Sequence, residues 1–200
     1  MPMPDIVENA GTVTHAPAPS PAPASAMSPH TLKYLLAYPD TLQAQVRHLL
    51  AQGRLADMLL QKYPHGHCVQ TDRSLYDYVM ALKGEFLRSS PPLSKIAFDN
   101  RLQVIAQALG THTTVSRVQG NKLKAKREIR VASLFKAGPA EFLKMIAVHE
   151  LAHIKIREHD KDFYRLCTYM EPAYHQYEFD LRVYLTQIDA AGALVWPGAA

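Results

Sequence analysis

Gly138-Pro139-Ala140-Glu141-Phe142-Leu143-Lys144-Met145-Ile146-Ala147-Val148-His149-Glu150-Leu151-Ala152-His153-Ile154-Lys155-Ile156 is the stretch on which the fold turns. A proline in the first turn costs a helix no hydrogen bond, and Glu141 is favourable at the positive end of the helix dipole. Phe142, Met145, Ile146, Ala152 and Ile156 then recur on or near one helical stripe. His149 and His153 lie on that stripe four residues apart, so they project from one face, one turn above the other. The pattern predicts a helix from about 139 to 156 or 157 whose buried side carries two imidazoles.

Two neutral imidazoles at this spacing can share a cation, and the neighbouring Glu150 is suited to take a proton from an attacking water. A catalytic zinc takes three protein ligands and keeps its fourth position for solvent. His159 supplies the third. The spacing His-Glu-x-x-His-x-x-x-x-x-His resembles that of metzincin proteases, which place a glycine where this chain has Ile156. A β-branched residue tolerates the required positive φ poorly. The helix is therefore expected to continue through Ile156, with the turn at Arg157-Glu158 bringing His159 back to the metal. Glu178 or Asp180 is a candidate to accept the free N–H of a ligand histidine; the alternative is a solvated helix face. His112 and His175 read as packing or supporting residues, and His65-Gly66-His67-Cys68 reads as a loop.

Upstream of the metal motif the pattern changes period. Thr111 to Val118 is rich in β-branched residues and Arg127 to Val131 alternates polar with apolar, so both read as strands joined at the Gly120-Asn121 bend. Lys122, Lys124 and Lys126 fall on the connecting turn of this ribbon. Between Arg117 and Arg130 six basic residues face one acid, a local balance of +5 in a chain whose net charge is +4. Such a run is a footprint for phosphate groups, with a solvated hairpin as the alternative. On the strand, Glu128 and Arg130 point to one side, Arg127 and Ile129 to the other.

Further upstream, leucines at helical intervals predict helices over 31–63, divided into a short and a longer one by Pro39. Another is expected over 74–88 with Ser74 as a possible cap, and a short one over 102–109. Downstream, helices are expected over 160–170 and from Pro172 to about 188. Residues 1–30 hold seven of the fourteen prolines and read as a solvated tail; residues 189–200 read as a loose C-terminal tail. The plan is thus one domain over 31–188, with a helical part over 31–110 and strands plus metal-binding helices over 111–188. With 48% hydrophobic residues the chain suits one ordinary core. No apolar run reaches about 18 residues, which excludes a membrane-spanning helix, and no signal-like N-terminus is evident, so a cytoplasmic protein is expected. Cys68 and Cys167, far apart, suggest neither a disulfide framework nor a thiolate zinc site.

Several longer strings carry a family resemblance: YDYVMALK over 76–83, SRVQGNKLKAKREIRVAS over 116–133, FLKMIAVHELAHIK over 142–155, and FYRLC, MEP and YHQYEFDLR within 159–184. Through them the chain resembles the YgjP-like family of metal-dependent hydrolases, distantly similar to SprT-like zinc metallopeptidases. The resemblance implies a small α+β, zincin-like metallopeptidase fold in which the metal-site helix packs on a small antiparallel sheet, with helices before it. It implies His149, His153 and His159 as ligands and Glu150 as the catalytic group, and it leaves two substrates open, since the fold points to peptide cleavage and the family's namesake to release of pyrophosphate from UTP. Zinc is the expected metal, with manganese, nickel and magnesium as alternatives. In the pyrophosphatase reading Lys122, Lys124, Lys126, Arg127 and Arg130 neutralise the triphosphate. Two other readings stand beside it: a metallopeptidase whose ribbon edge receives an extended peptide, and a nucleic-acid-binding module with a structural zinc.

Overall fold

A computed structural model describes residues 32–100, 111–119 and 122–198. The predicted N-terminal tail and the helix expected over 102–109 lie outside the described residues. Leu32 and Leu35 are buried, but the chain before Pro39 forms turns rather than the expected short helix. After Pro39 the single long helix becomes two, α1 (Asp40–Ala51) and α2 (Leu55–Lys62). The break is at Gly53, whose φ of 66° lies in the left-handed region that favours glycine. Helix α3 (Asp72–Phe86) starts two residues before the expected position. Its N-cap is Thr71, not Ser74: the Thr71 hydroxyl accepts from the Ser74 N–H and the Ser74 hydroxyl accepts from the Thr71 N–H, each at 3.1 Å. This reciprocal pair satisfies donors that a helix start otherwise leaves unpaired.

Three strands follow, β1 (Lys95–Asp99), β2 (Thr111–Gln119) and β3 (Lys122–Ala132), in the order β1-β3-β2. The β2/β3 ribbon is antiparallel, with Gln119 opposite Lys122. The sheet is nevertheless mixed rather than antiparallel, because β1 runs parallel to β3, pairing Ile96 with Ile129 and Phe98 with Val131. The sequence pattern predicts no strand here; five residues behind Pro91-Pro92 leave little periodicity to detect. Lys122, Lys124 and Lys126 belong to β3 itself, opposite Gln119, Arg117 and Val115, and not to the turn. Ile129 and Val131 are fully buried, so one face of β3 meets the core while Glu128 and Arg130 alternate to the other.

A short 3-10 helix, Ser133–Ala137, leads through Gly138-Pro139 into α4 (Ala140–Ala152). Ten of its thirteen residues are buried, including His149 and Glu150. A helix apolar nearly all round is one that lies inside a domain, so the expected single stripe understates its burial. Helix α5 (Lys161–Met170) starts where Asp160 Oδ1 accepts the Phe163 N–H at 2.9 Å. Helix α6 (Tyr174–Ala191) begins two residues after the expected Pro172. Phe163, Cys167, Leu181 and Tyr184 share one core with Met145, Ile146 and Val148 of α4 and Ile129 of β3. None of the described helices is long and apolar enough to cross a membrane.

Two polar ties close the helical layer. Asp180 of α6 is buried and accepts from Lys62 and Tyr63 at 2.6 Å and from Gln176 at 3.0 Å, joining the end of α2 to α6. The expected loose C-terminal tail is instead docked. Trp196 is 2% exposed, its indole N–H donates to the Tyr63 carbonyl at 2.7 Å, and its ring packs against Phe142 and Tyr184. Trp196→Ala removes this packing and leaves a cavity against α4, so a loss of roughly 3–5 kcal/mol is expected. The check is urea denaturation followed by circular dichroism, where the midpoint should fall clearly; an unchanged midpoint would mean that the segment contributes nothing to the fold.

Candidate metal centre

The end of α4 shapes the site. The helix stops at Ala152, four residues before the expected end, and His153 is its C-cap with φ −63° and ψ −14°. Tight turns then take over: Ile154 N–H donates to Leu151, and the N–H groups of Lys155 and Ile156 both donate to the Ala152 carbonyl. The reversal needs neither the glycine of the metzincin pattern nor a helix running through Ile156. It is reinforced by the His153 side chain, whose Nδ1 lies 3.0 Å from the Ile156 carbonyl oxygen. His159 follows immediately before Asp160, the N-cap of α5.

These local choices bring three imidazoles together. The Nε2 atoms of His149 and His153 are 3.3 Å apart, and His159 Nε2 is 3.1 Å from each. Two nitrogens each about 2.0–2.1 Å from one tetrahedral cation are separated by roughly 3.3–3.4 Å, so the donor set fits zinc in spacing as well as in type. Among the described residues this is the one such convergence of histidine, cysteine or carboxylate groups able to hold a metal ion. Phe163, fully buried, packs against all three rings with centroid separations of 5.0, 4.6 and 4.7 Å. Exposure is graded: His149 is buried, His153 half-buried and His159 exposed, which leaves one side of the cluster open to solvent.

Burial keeps the inner ligands neutral, as coordination requires. Desolvation, then the two neighbouring histidines, lowers the His149 pKa to about 3, and burial also lowers that of His153. An Nδ1–H donated from His153 to the Ile156 carbonyl leaves its Nε2 lone pair facing the cluster. Beside the cluster Glu150 is entirely buried, and neither carboxylate oxygen has a hydrogen-bond partner among the described residues. Burial alone pushes its carboxyl up to about 8. A carboxylate so poorly solvated has high proton affinity.

The expected partners for the ligand histidines are engaged elsewhere. Glu178 accepts from Arg182 at 2.8 Å and lies 4.0 Å from His175, while Asp180 serves the α2 tie. The group beside His149 Nδ1 is the hydroxyl of Tyr174, at 2.7 Å. Burial drives the Tyr174 pKa upward, so it stays a neutral phenol. Neither Tyr174 nor Phe163 could be singled out from sequence, since an aromatic on a buried helix face reads as ordinary core. His175 is exposed, with its ring 5.4 Å from those of Tyr164 and Tyr174. His67 is occupied locally, with Nδ1 accepting the Val69 N–H and Nε2 2.7 Å from the Phe135 carbonyl.

Arg130 is neutralised on its own sheet face by Asp99 at 2.8 Å and Glu128 at 3.4 Å. The Arg127 carbonyl accepts from the Ser94 N–H and hydroxyl at 2.9 and 2.8 Å, which continues the β1/β3 pairing.

A family model described as "YgjP-like, metallopeptidase domain" matches residues 92–184, from just before β1 to within α6. A relative named UTP pyrophosphatase, from Escherichia coli (strain K12), is 55% identical over 157 residues, which cover 78% of this chain and 94% of the relative. No solved structure matches the chain. With that identity across nearly the whole of the relative, and with the family model spanning the three histidines, the chain belongs to the YgjP-like family.

Proposed function

We propose that the protein is a metal-dependent hydrolase that cleaves a nucleoside triphosphate, UTP first, adding water to release the monophosphate and pyrophosphate. The observation that carries the reading is the approach of three Nε2 atoms to within 3.1–3.3 Å, with Glu150, next to His149 in the chain, buried and without a hydrogen-bond partner among the described residues. A structural metal site has no use for Glu150; a hydrolytic one does. The choice of substrate rests on the relative's name and on the basic segment.

In this reading His149, His153 and His159 hold zinc; manganese, nickel or magnesium are the alternatives. When bound, the cation supplies Lewis acidity, making a water nucleophilic near neutral pH and drawing charge from a phosphoryl oxygen. Glu150 accepts the proton of the attacking water on a carboxylate oxygen and returns it to the departing pyrophosphate. Lys122, Lys124, Lys126 and Arg127 neutralise the triphosphate. Arg130 contributes less than the sequence suggested, since Asp99 and Glu128 already match its charge.

A metallopeptidase reading draws support from the family description and from the sheet order, which makes β1 and β2 edges where an extended peptide can add a strand. The two are separated by offering the purified chain UTP, other triphosphates and casein, each with zinc, manganese or magnesium. Pyrophosphate release is expected, and Glu150→Gln should lower it by about 10²–10⁴-fold. Casein cleavage without nucleotide turnover would overturn the proposal in favour of proteolysis. Binding of single-stranded DNA with steep salt dependence and no turnover would favour the nucleic-acid module. Dialysis against a chelator should abolish pyrophosphate release and readdition of metal restore it, whereas His149→Ala should not be restored at the same metal concentration.

A further inference from the structure

We propose that Tyr174 is a positioning residue of the metal centre, holding the His149 imidazole in the tautomer and rotation that aim Nε2 at the cation. The inference rests on the metal-centre reading above. An imidazole that coordinates through Nε2 carries its hydrogen on Nδ1, so at 2.7 Å the His149 Nδ1–H donates and the Tyr174 oxygen accepts. His149 is the most buried of the three ligands, and without Tyr174 its Nδ1–H would be a buried donor lacking a partner, which is costly. Cys167, itself fully buried, belongs to the same core as Tyr174.

The ring is held in place from the same helix that carries His149. Lys144 of α4 reaches Glu171 with 2.5 Å between Nζ and Oε2. The other Glu171 oxygen accepts the Ala173 N–H at 3.0 Å, and the Glu171 carbonyl accepts the Tyr174 N–H at 2.9 Å. The path from His149 along α4 to Lys144, across to Glu171, into the first residue of α6 and back through the phenol to His149 is a closed circuit. His153 has an equivalent restraint in the Ile156 carbonyl. Two ligands are therefore aimed by oxygen acceptors, and only one of those acceptors is a side chain.

Tyr174→Phe keeps the ring and removes the acceptor. Groups of this kind typically change metal affinity by about 10–100-fold when lost, and a weakening of that size is expected when the full chain competes for zinc with a chromophoric chelator. Cys167→Ser, which leaves the Tyr174 hydroxyl beside His149 in place, should stay near wild type. Equal zinc affinity in wild type and Tyr174→Phe overturns the assignment. A second measurement needs no variant: two-dimensional ¹H–¹⁵N spectra of the imidazoles in the metal-free wild-type chain should show His149 protonated on Nδ1, and a hydrogen on Nε2 there refutes the proposal even if Tyr174→Phe does not fold. Failure of the wild type to bind any divalent cation would sink the metal-centre reading instead, while the tautomer still reports on Tyr174.

Discussion

A helix buried on nearly every side has to carry its polar residues into the interior with it, and α4 carries a histidine and a glutamate. Either residue alone in an apolar core is unfavourable, because an uncompensated polar group in low dielectric forfeits its hydration. The surroundings of α4 answer that cost unequally. His149 meets a phenol, and His153 turns to a backbone carbonyl released by the helix end. Phe163 fills the space behind the three rings. Glu150 receives no such help, and its carboxyl is driven towards the neutral acid. Local instability concentrated on one group, within an otherwise well-satisfied core, is characteristic of sites kept for chemistry rather than for folding.

What could be read from sequence was whatever depends on spacing along one element. The four-residue interval between His149 and His153 fixes their relation on any helix, and the distance to His159 allows few other uses. The β2/β3 ribbon was legible for the same reason, from β-branched residues on both sides of Gly120-Asn121. Element ends were less so. The stop at Ala152 is made by turn hydrogen bonds and the His153 side chain, with no glycine or proline to announce it. The break at Gly53 was equally unannounced: one glycine within leucines at helical intervals, with a φ of 66° that only the fold reveals. Strand β1 is invisible alone, because its pairing partner β3 lies some thirty residues on and the pairing is parallel.

Contacts between elements were beyond reach altogether. Tyr174 meets His149 across 25 residues of chain, and nothing in the string YHQYEFDLR distinguishes it from the tyrosines that only pack. Glu178 and Asp180 looked like better partners because carboxylates commonly hold ligand histidines. Their real roles are set by Arg182, one turn along α6 from Glu178, and by Lys62 with Tyr63 at the end of α2. The same holds for Arg130, whose charge counted toward a phosphate footprint until the strand carrying Asp99 was placed beside it.

The docking of Trp196 has a practical reach. With its indole sealed between Phe142 and Tyr184 and bonded to the Tyr63 carbonyl, and with Pro197 accepting from Gly66, the polypeptide leaves the domain right beside the 63–67 loop. Any affinity handle or fusion partner joined after residue 200 therefore starts a few residues from a buried anchor that leans on the metal-bearing helix.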